Sequence, residues 1–370
     1  MNILEICVDL DGGGIDRYVY NYCSNIKDIQ FDFVIIKKAK KGILEDDLEK
    51  KGSIIYKING LKNGLFRYYF SLKKILKSKK YDAVHIHLGY KSFLAAFCAK
   101  RMKIKTILVH AHIANETSNP FYILLKNILS FITKKNATKL VACGIDAAKY
   151  VWGSKEYNKG NVLILKNAIN IEQYKFSLSK KEEKRKELNI KNNLILGNVG
   201  RLTLQKNQLR LIDIFYEVNK MNKDALLLLI GTGDQEEEIR NKINQLGLNN
   251  VLLLGVRDDV NLLLNVIDVF VFPSIFEGLP FTLIEAQCNG LPIICSDTVT
   301  KEVALTENFK FLSLNDSNKK WAESILDYAK KKHDENAYKF IKLAGYDLQT
   351  EVEKLSNLYI GLINENTKRN

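Results

Sequence analysis

Two doubly wound α/β domains facing a central cleft are the architecture this sequence predicts, and three observations predict it. Short β-rich runs alternate with longer helical patterns along nearly the whole chain. That alternation breaks once, near residues 177–193, and then restarts. The length of 370 residues and the 46% apolar content suit about two domains with ordinary cores.

In the first half the strand candidates are ILEICV (3–8), FDFVII (31–36), SIIYKI (53–58), DAVHIH (82–87), KTILVHA (105–111), KLVAC (139–143) and NVLIL (161–165). Stretches of helical periodicity such as SFLAAFCAKRM separate most of them. Nearly continuous apolar strands between helices imply a parallel sheet covered on both faces. The segment SLSKKEEKRKELNIKNN (177–193) is charged and poor in apolar residues, as expected of a linker and an exposed helix. Strand patterns return with LILGNVG (194–200), ALLLLIG (225–231), NVLLLG (250–255), DVFVFPS (268–274) and LPIICSD (291–297). The predicted division is residues 1–169 and 170–349, with a helix over about 350–370 packing back on the first domain. Ligands of such folds bind at the carboxyl ends of the strands.

The formal charge is +14, and the excess lies within residues 1–180. A one-sided basic surface favours anionic partners, whether nucleic acid, lipid head groups or phosphorylated substrates. Six scattered cysteines without a CxxC pair read as small buried hydrophobes in a reducing compartment. The start MNILEICVDL is a strand pattern and not a leader, and no apolar run reaches about 18 residues.

Several motifs carry chemistry. Gly12–Gly14 follow the first strand and precede an amphipathic helix, so backbone N–H groups there can approach an anion at a helix start. The spacing fits neither G-x-G-x-x-G nor G-x-x-x-x-G-K-[ST]. Two H-x-H pairs, His85/His87 and His110/His112, each end a strand. No Cys adjoins either pair and no third ligand is evident, so a single histidine contacting a polar substrate is expected in preference to a metal. Arg201 and Lys206, in GNVGRLTLQKN, are placed to bracket a diphosphate. GTGD (231–234) and GVRDDV (255–260) add two glycine turns at strand ends. In EGLPFTLIE, Glu277 follows a buried strand and Glu285 sits a turn inside the next helix. The N–H groups of Phe281, Thr282 and Leu283 between them suit a phosphate.

In this order the motifs resemble the retaining GT-B glycosyltransferases of family four, whose domains are Rossmann-like. The resemblance spans nearly the whole chain: GGGIDR, VHAHIAN, VACGIDAAKYVWG, LKNAINIEQYKF, GNVGRLTLQKN, LLLIGTGD, LLGVRDDV and FPSIFEGLPFTLIEAQCNGLPIICSD. It implies transfer of a sugar from a nucleotide-diphosphate donor, expected to be a UDP-sugar, with retention and without a metal or other cofactor. Arg201 and Lys206 then neutralise the leaving diphosphate, Glu277 contacts the donor sugar, and Glu285 binds the ribose. Phe281–Leu283 hold phosphate or hydroxyls, Gly13 and Gly14 lie against the diphosphate, and Arg257 marks the loop touching the base. His112, or His110, contacts the sugar. Asp16, Ala168, Asn170 and the Cys143-Gly144 pair depart from the family pattern, and none of them removes a proposed catalytic group.

The basic first half suggests a saccharide acceptor, lipid-linked, presented at an anionic membrane. On this reading the protein is cytoplasmic and peripheral to the inner face of the cell membrane, in surface polysaccharide synthesis. GLFRYYFSLKKILKSKK (64–80) interleaves aromatics with cations as an interfacial helix does, and FYILLKNILSFI (121–132) reads as a docked helix. Two rivals are a sugar-nucleotide epimerase of the same architecture and a nucleic-acid-binding protein. The Arg/Lys set and the paired glutamates favour transfer over epimerisation, and no nucleic-acid motif occurs.

Overall fold

The computed structural model describes residues 1–11, 13–36, 41–112, 119–277 and 279–368. They form two compact units, Met1–Ala168 with Leu348–Asn370, and Ile169–Asp347.

In the first unit β1 (Asn2–Cys7), β2 (Gln30–Ile35), β3 (Ile55–Lys57), β4 (Ala83–Ile86), β5 (Thr106–Ala111), β6 (Lys139–Ala142) and β7 (Val162–Ile164) make one sheet. Among the described residues its order is β3-β2-β1-β4-β5-β6-β7, all parallel. The order reverses direction between β1 and β4, which makes their carboxyl ends the switch point. Helices α1 (Gly14–Asn25), α2 (Leu65–Ser78), α3 (Phe93–Arg101) and α4 (Pro120–Asn136) lie among the crossovers. Register sets Glu5 of β1 beside His85 of β4. The C-terminal helix Leu348–Lys368 belongs to this unit and buries Val352, Leu355 and Tyr359.

The second unit has a short helical turn, Ile171–Tyr174, followed by the helix α5 (Leu178–Glu187). Its six parallel strands are β8 (Leu194–Val199), β9 (Ala225–Ile230), β10 (Val251–Leu253), β11 (Val269–Phe272), β12 (Ile293–Ser296) and β13 (Phe309–Leu312). Their order is β10-β9-β8-β11-β12-β13, with the switch between β8 and β11. Helix α6 (Gln208–Met221) follows β8 and α7 (Phe281–Cys288) follows β11. The run Ala225–Ile230 shows why such strands read as unbroken apolar stretches. Leu226, Leu228 and Ile230 join one core, while Ala225, Leu227 and Leu229 join a second core on the other face.

Two expectations need correction. Helix α5 is no free linker: Lys184 is buried and bridges Asp259 at 2.8 Å and Glu187 at 2.6 Å, and Lys181 reaches Asp268 at 2.8 Å. Two of its five cations, Lys181 and Lys184, are matched by acids of the second unit, which composition alone cannot show. Strand β13 was not anticipated, because FKFL is a four-residue edge strand with a lysine in it. Among the described residues no helix is long and apolar enough to cross a membrane.

Candidate active site

In the second unit Lys206 and Glu277 come together at the switch point between β8 and β11. The loop after β8 is pinned to the loop after β11 by three backbone anchors. Ile275 N–H donates to Gln205 O at 2.8 Å, Gln205 Nε2 to Phe276 O at 3.0 Å, and Asn207 Nδ2 to Pro273 O at 3.1 Å. Asn207, in the left-handed region at φ 59°, then turns the chain into α6. Held this way, Lys206 Nζ meets Glu277 Oε1 at 2.7 Å and lies over the Phe272 ring at 4.8 Å. Gln205 Nε2 gives the same Glu277 oxygen a second contact at 3.2 Å. The Lys206 and Glu277 side chains are only 16% and 10% exposed, so little water screens the pair. Arg201, by contrast, is exposed and has no ion-pair partner among the described residues.

Three glycine-bearing turns stack beside Arg201. Gly200 N–H donates to Ile230 O, Leu202 N–H to Thr232 O, and Gly231 N–H to Gly255 O. Gly231 has φ 135°, and a Cβ there would fall 2.0 Å from the Gly200 carbonyl oxygen. A side chain at Gly233 would strike Leu202 O at 2.1 Å. These two positions need glycine because backbone passes against backbone.

Helix α7 starts after Pro280, and its first-turn N–H groups at Phe281 and Thr282 have no intrahelical acceptor by helix geometry. The Leu283 N–H is committed to Pro280 O at 3.2 Å and its side chain is buried, so of the three expected phosphate-facing amides it is the weakest. Thr282 Oγ1 is buried without a hydrogen-bond partner. Glu285 is 8% exposed and accepts the Tyr174 hydroxyl at 2.8 Å. Arg257 is clasped by Asp259, with Nε to Oδ1 and Nη2 to Oδ2 both 2.7 Å. The fork expected near a base is therefore spent on a carboxylate whose pKa it holds well below the usual range. What this loop offers a ligand is its backbone and the flat face of the guanidinium.

In the first unit Gly13 precedes α1, and its N–H donates to Asp16 Oδ2 at 2.9 Å. Gly14 opens the helix. Burial pushes the Asp16 carboxyl up to about 7, helped by Asp9 and Asp11 and opposed by the Gly13 amide. Gly12 and Gly278 of the two glycine motifs, and residues 113–115 after His112, lie outside the described residues.

The two H-x-H pairs, treated separately in the sequence, form a single cluster. Glu5 Oε2 meets His87 Nε2 at 2.6 Å, and His87 Nδ1 meets His112 Nε2 at 2.9 Å. The Tyr359 hydroxyl donates to Glu5 Oε1 at 3.1 Å and lies 2.6 Å from His85 Nδ1. His110 stacks on His112 with ring centroids 4.0 Å apart, and Tyr18 stands edge-on to both. Burial lowers all four imidazole pKa values, that of His87 to about 3, and neighbouring imidazoles add to the shift in the other three. Desolvation raises Glu5 to about 8. The Glu5–His87 pair therefore shares one proton and is neutral at pH 7.

His112 is the end of this chain, and its Nδ1 is buried without a partner. His110 leaves both ring nitrogens unpartnered and is fully buried within β5. One ring nitrogen each of His85, His87 and His110 lies within 4.8 Å of the others, so these are the described residues that come nearest to a metal-binding set. Hydrogen bonds already engage His85 Nδ1 and both nitrogens of His87.

Sequence reasoning missed Gln205, Tyr174, Glu5 and Tyr359. Gln205 lies between two residues it did single out, and Tyr174 lies within the quoted LKNAINIEQYKF segment. Glu5, inside an apolar strand, carried the visible signal of a carboxylate that must find a partner. Tyr359 carried none.

Two family models match the chain, one for each unit. The Glycosyltransferase Family 4 model matches residues 12–173, and the model for glycosyl transferases group 1 matches residues 179–344. The chain is 28% identical over 367 residues to EpsF of Bacillus subtilis (strain 168), named as a glycosyltransferase, with 96% of each chain covered. It is 26% identical over 309 residues, 79% of each chain, to the UDP-Gal:alpha-D-GlcNAc-diphosphoundecaprenol alpha-1,3-galactosyltransferase of Escherichia coli. Among solved structures, Anabaena Alr3699/HepE in complex with UDP-glucose matches with a TM-score of 0.78 at 19% identity, covering 98% of this chain and 100% of that one. Two parallel-sheet units with these two family matches in sequence order make the chain a glycosyltransferase of family 4 with the GT-B fold.

Proposed function

We propose that this enzyme transfers a sugar from a UDP-sugar to a lipid-linked saccharide, with retention at the anomeric carbon and without a metal, in the synthesis of a surface polysaccharide. It works on the cytoplasmic side, at the membrane where such an acceptor resides. The observation that carries the reading is the Lys206–Glu277 ion pair at the switch point of the second unit, beside the unpaired Arg201. The donor and acceptor classes take support from the similar proteins, one named for UDP-Gal and a diphosphoundecaprenol saccharide and one solved with UDP-glucose.

The chemistry follows from charge. As the sugar–phosphate bond loosens, negative charge grows on the leaving phosphate, and a preorganised ammonium and guanidinium stabilise it. Lys206 is already aimed by Glu277, so the arriving diphosphate draws on a cation that needs little reorientation. Glu277 keeps a second oxygen for a sugar hydroxyl, and Glu285, braced by Tyr174, takes ribose hydroxyls. The Phe281 and Thr282 amides face phosphate at the start of α7. In the first unit Gly13 and Gly14 supply backbone close to an anion. His112 meets the sugar through Nδ1, and Glu5 and His87 set which tautomer it presents.

The test is a panel of nucleotide-sugars with the purified protein, read by thermal stabilisation, UDP release and the anomeric configuration of the product. One UDP-sugar should protect and turn over, an α-linked donor should give an α-linked product, and EDTA should leave the rate unchanged. Protection by no UDP-sugar ends the reading. An inverted product ends retention, and a rate abolished by EDTA and restored by a divalent ion ends metal independence.

A further inference from the structure

Helix α4 is inside out. Its sequence PFYILLKNILSFITKKN is mostly apolar, yet the side chains it buries are those of Ser130 and Thr133. Ser130 Oγ donates to Val151 O at 2.5 Å, and Thr133 Oγ1, whose nearer acceptor is Leu129 O of its own helix at 2.8 Å, lies 3.2 Å from Tyr90 O. The large apolar residues point the other way. Phe121 is 70% exposed and Leu124 60%, and Tyr122, Leu125, Ile128 and Phe131 are exposed as well. Five consecutive residues from Phe121 to Leu125 are exposed. A helix of a water-soluble surface buries its apolar stripe and shows its polar one. The docked helix expected from the sequence is thus docked by its polar face.

The neighbouring helices extend the same surface. Phe66 and Phe70 of α2 and Phe97 of α3 are exposed, with Tyr69 between Phe70 and Phe97 at ring distances of 5.5 and 6.3 Å. Lys100 of α3 donates to Lys135 O at the end of α4, 2.6 Å away. Across α2, α3 and α4 there are nine Lys or Arg residues and no Asp or Glu. Lys126 Nζ and Lys135 Nζ lie over the rings of Tyr150 and Phe131 at 4.3 and 4.5 Å, and Lys126 Nζ also donates to Tyr150 O at 2.7 Å. The exposed cations of this surface include Arg67, Lys74, Lys77, Arg101 and Lys135.

We propose that α4, flanked by α2 and α3, is a membrane-docking face that inserts the Phe121–Ile128 ridge into the head-group region of an anionic bilayer. An apolar ridge on and between helices that carry cations and no acids fits that one occupant. The ridge replaces water with acyl chains, and the exposed cations, Arg67, Lys74 and Lys77 of α2 among them, meet lipid phosphates, while Lys134 is turned to Glu156. With 17 residues the helix is too short to span and lies in the interface. The inference rests on the lipid-linked acceptor proposed above for its purpose, but its test reads binding and not transfer, so the two fail separately.

Full-length protein is sedimented with vesicles of phosphatidylcholine alone and with about one-third phosphatidylglycerol. Binding is expected to the anionic vesicles, to weaken as salt rises, and to fall at least tenfold in the double variant Phe121→Asp/Leu124→Asp. Leu343→Asp, which removes an apolar residue 86% exposed in the second unit, should bind as the parent does. Leu124→Trp should shift its emission to the blue on anionic vesicles. UDP-sugar protection of the double variant should match the parent, and an unchanged circular-dichroism spectrum with a cooperative melt shows that the first unit is folded. No binding to anionic vesicles, or undiminished binding by the double variant, overturns the proposal. So does a concentration-dependent dimer that Leu124→Asp disperses, since the ridge would then serve a second copy of this chain.

Discussion

The two units have the same winding and the same switch-point geometry, yet they furnish that point with opposite chemistry. In the second unit the groups after β8 and β11 are formal charges, Lys206 with Glu277 and the exposed Arg201. In the first unit the groups at the ends of β4 and β5 are neutral imidazoles, stripped of water and joined to a carboxyl that holds its proton to about pH 8. A diphosphate calls for fixed cations; a sugar hydroxyl calls for a neutral donor or acceptor of defined polarity. One fold accommodates both because the strand-end loops, and not the sheet, carry the difference.

Experiments can break that comparison or sharpen it. The largest effect is expected at Lys206. Lys206→Ala should lower turnover by roughly two to three orders of magnitude, as loss of one preorganised charge stabiliser does, while the protein remains folded at the assay temperature. Transfer rates with the identified donor, alongside a melting curve, check this; near-parental turnover would remove Lys206 from the charge-stabilising role. His112→Ala should cost about tenfold in kcat, the scale of one neutral hydrogen bond. UDP affinity measured by calorimetry should stay as it was, because His112 belongs to the other unit. A parallel loss of UDP binding would erase the proposed division of labour.

Next comes stability. Tyr359→Phe leaves Glu5 Oε1 and His85 Nδ1 without their shared hydroxyl partner and should destabilise the fold by about 1–3 kcal/mol, measured by denaturant unfolding. UDP protection of the second unit should persist. The smallest effect is a pH slope. Asp16 holds its proton up to about pH 7 in the folded chain, whereas the unfolded chain releases it near its ordinary value of 3.8. Its contribution is therefore present below about pH 4 and lost as pH rises toward 7. Asp16→Asn should flatten the change in melting temperature between pH 4 and 7; an unchanged slope would show that Asp16 is ionised when folded.

What could be read from the sequence divides along similar lines. The charged edge was legible because its parts are local: Arg201 and Lys206 share one loop, and Glu277 and Glu285 share one turn and helix. Their partners Gln205 and Tyr174 were hidden in plain stretches with no turn or charge signal. The histidine cluster was legible as two pairs only. Joining them requires the register of β1, β4 and β5 and a tyrosine from the C-terminal helix. Helix α4 exposes a different limit. Its apolar periodicity was visible, but the period of a pattern does not say which way the pattern faces. Ser130 and Thr133 settled that: both are buried, and Ser130 donates to a carbonyl oxygen of another helix.

The bond between Tyr359 and Glu5 spans 354 residues. A strand made among the first residues thus keeps a buried carboxyl and an imidazole unfinished until translation has passed through the entire second unit. The second unit, continuous from Ile169 to Asp347, faces no such wait. Synthesis at about 5–20 residues per second leaves the first sheet incomplete for tens of seconds, long enough for its apolar faces to need shelter. In a cell the order of completion should be the reverse of the order of synthesis: the second unit closes first, and the first unit is sealed last by its returning helix.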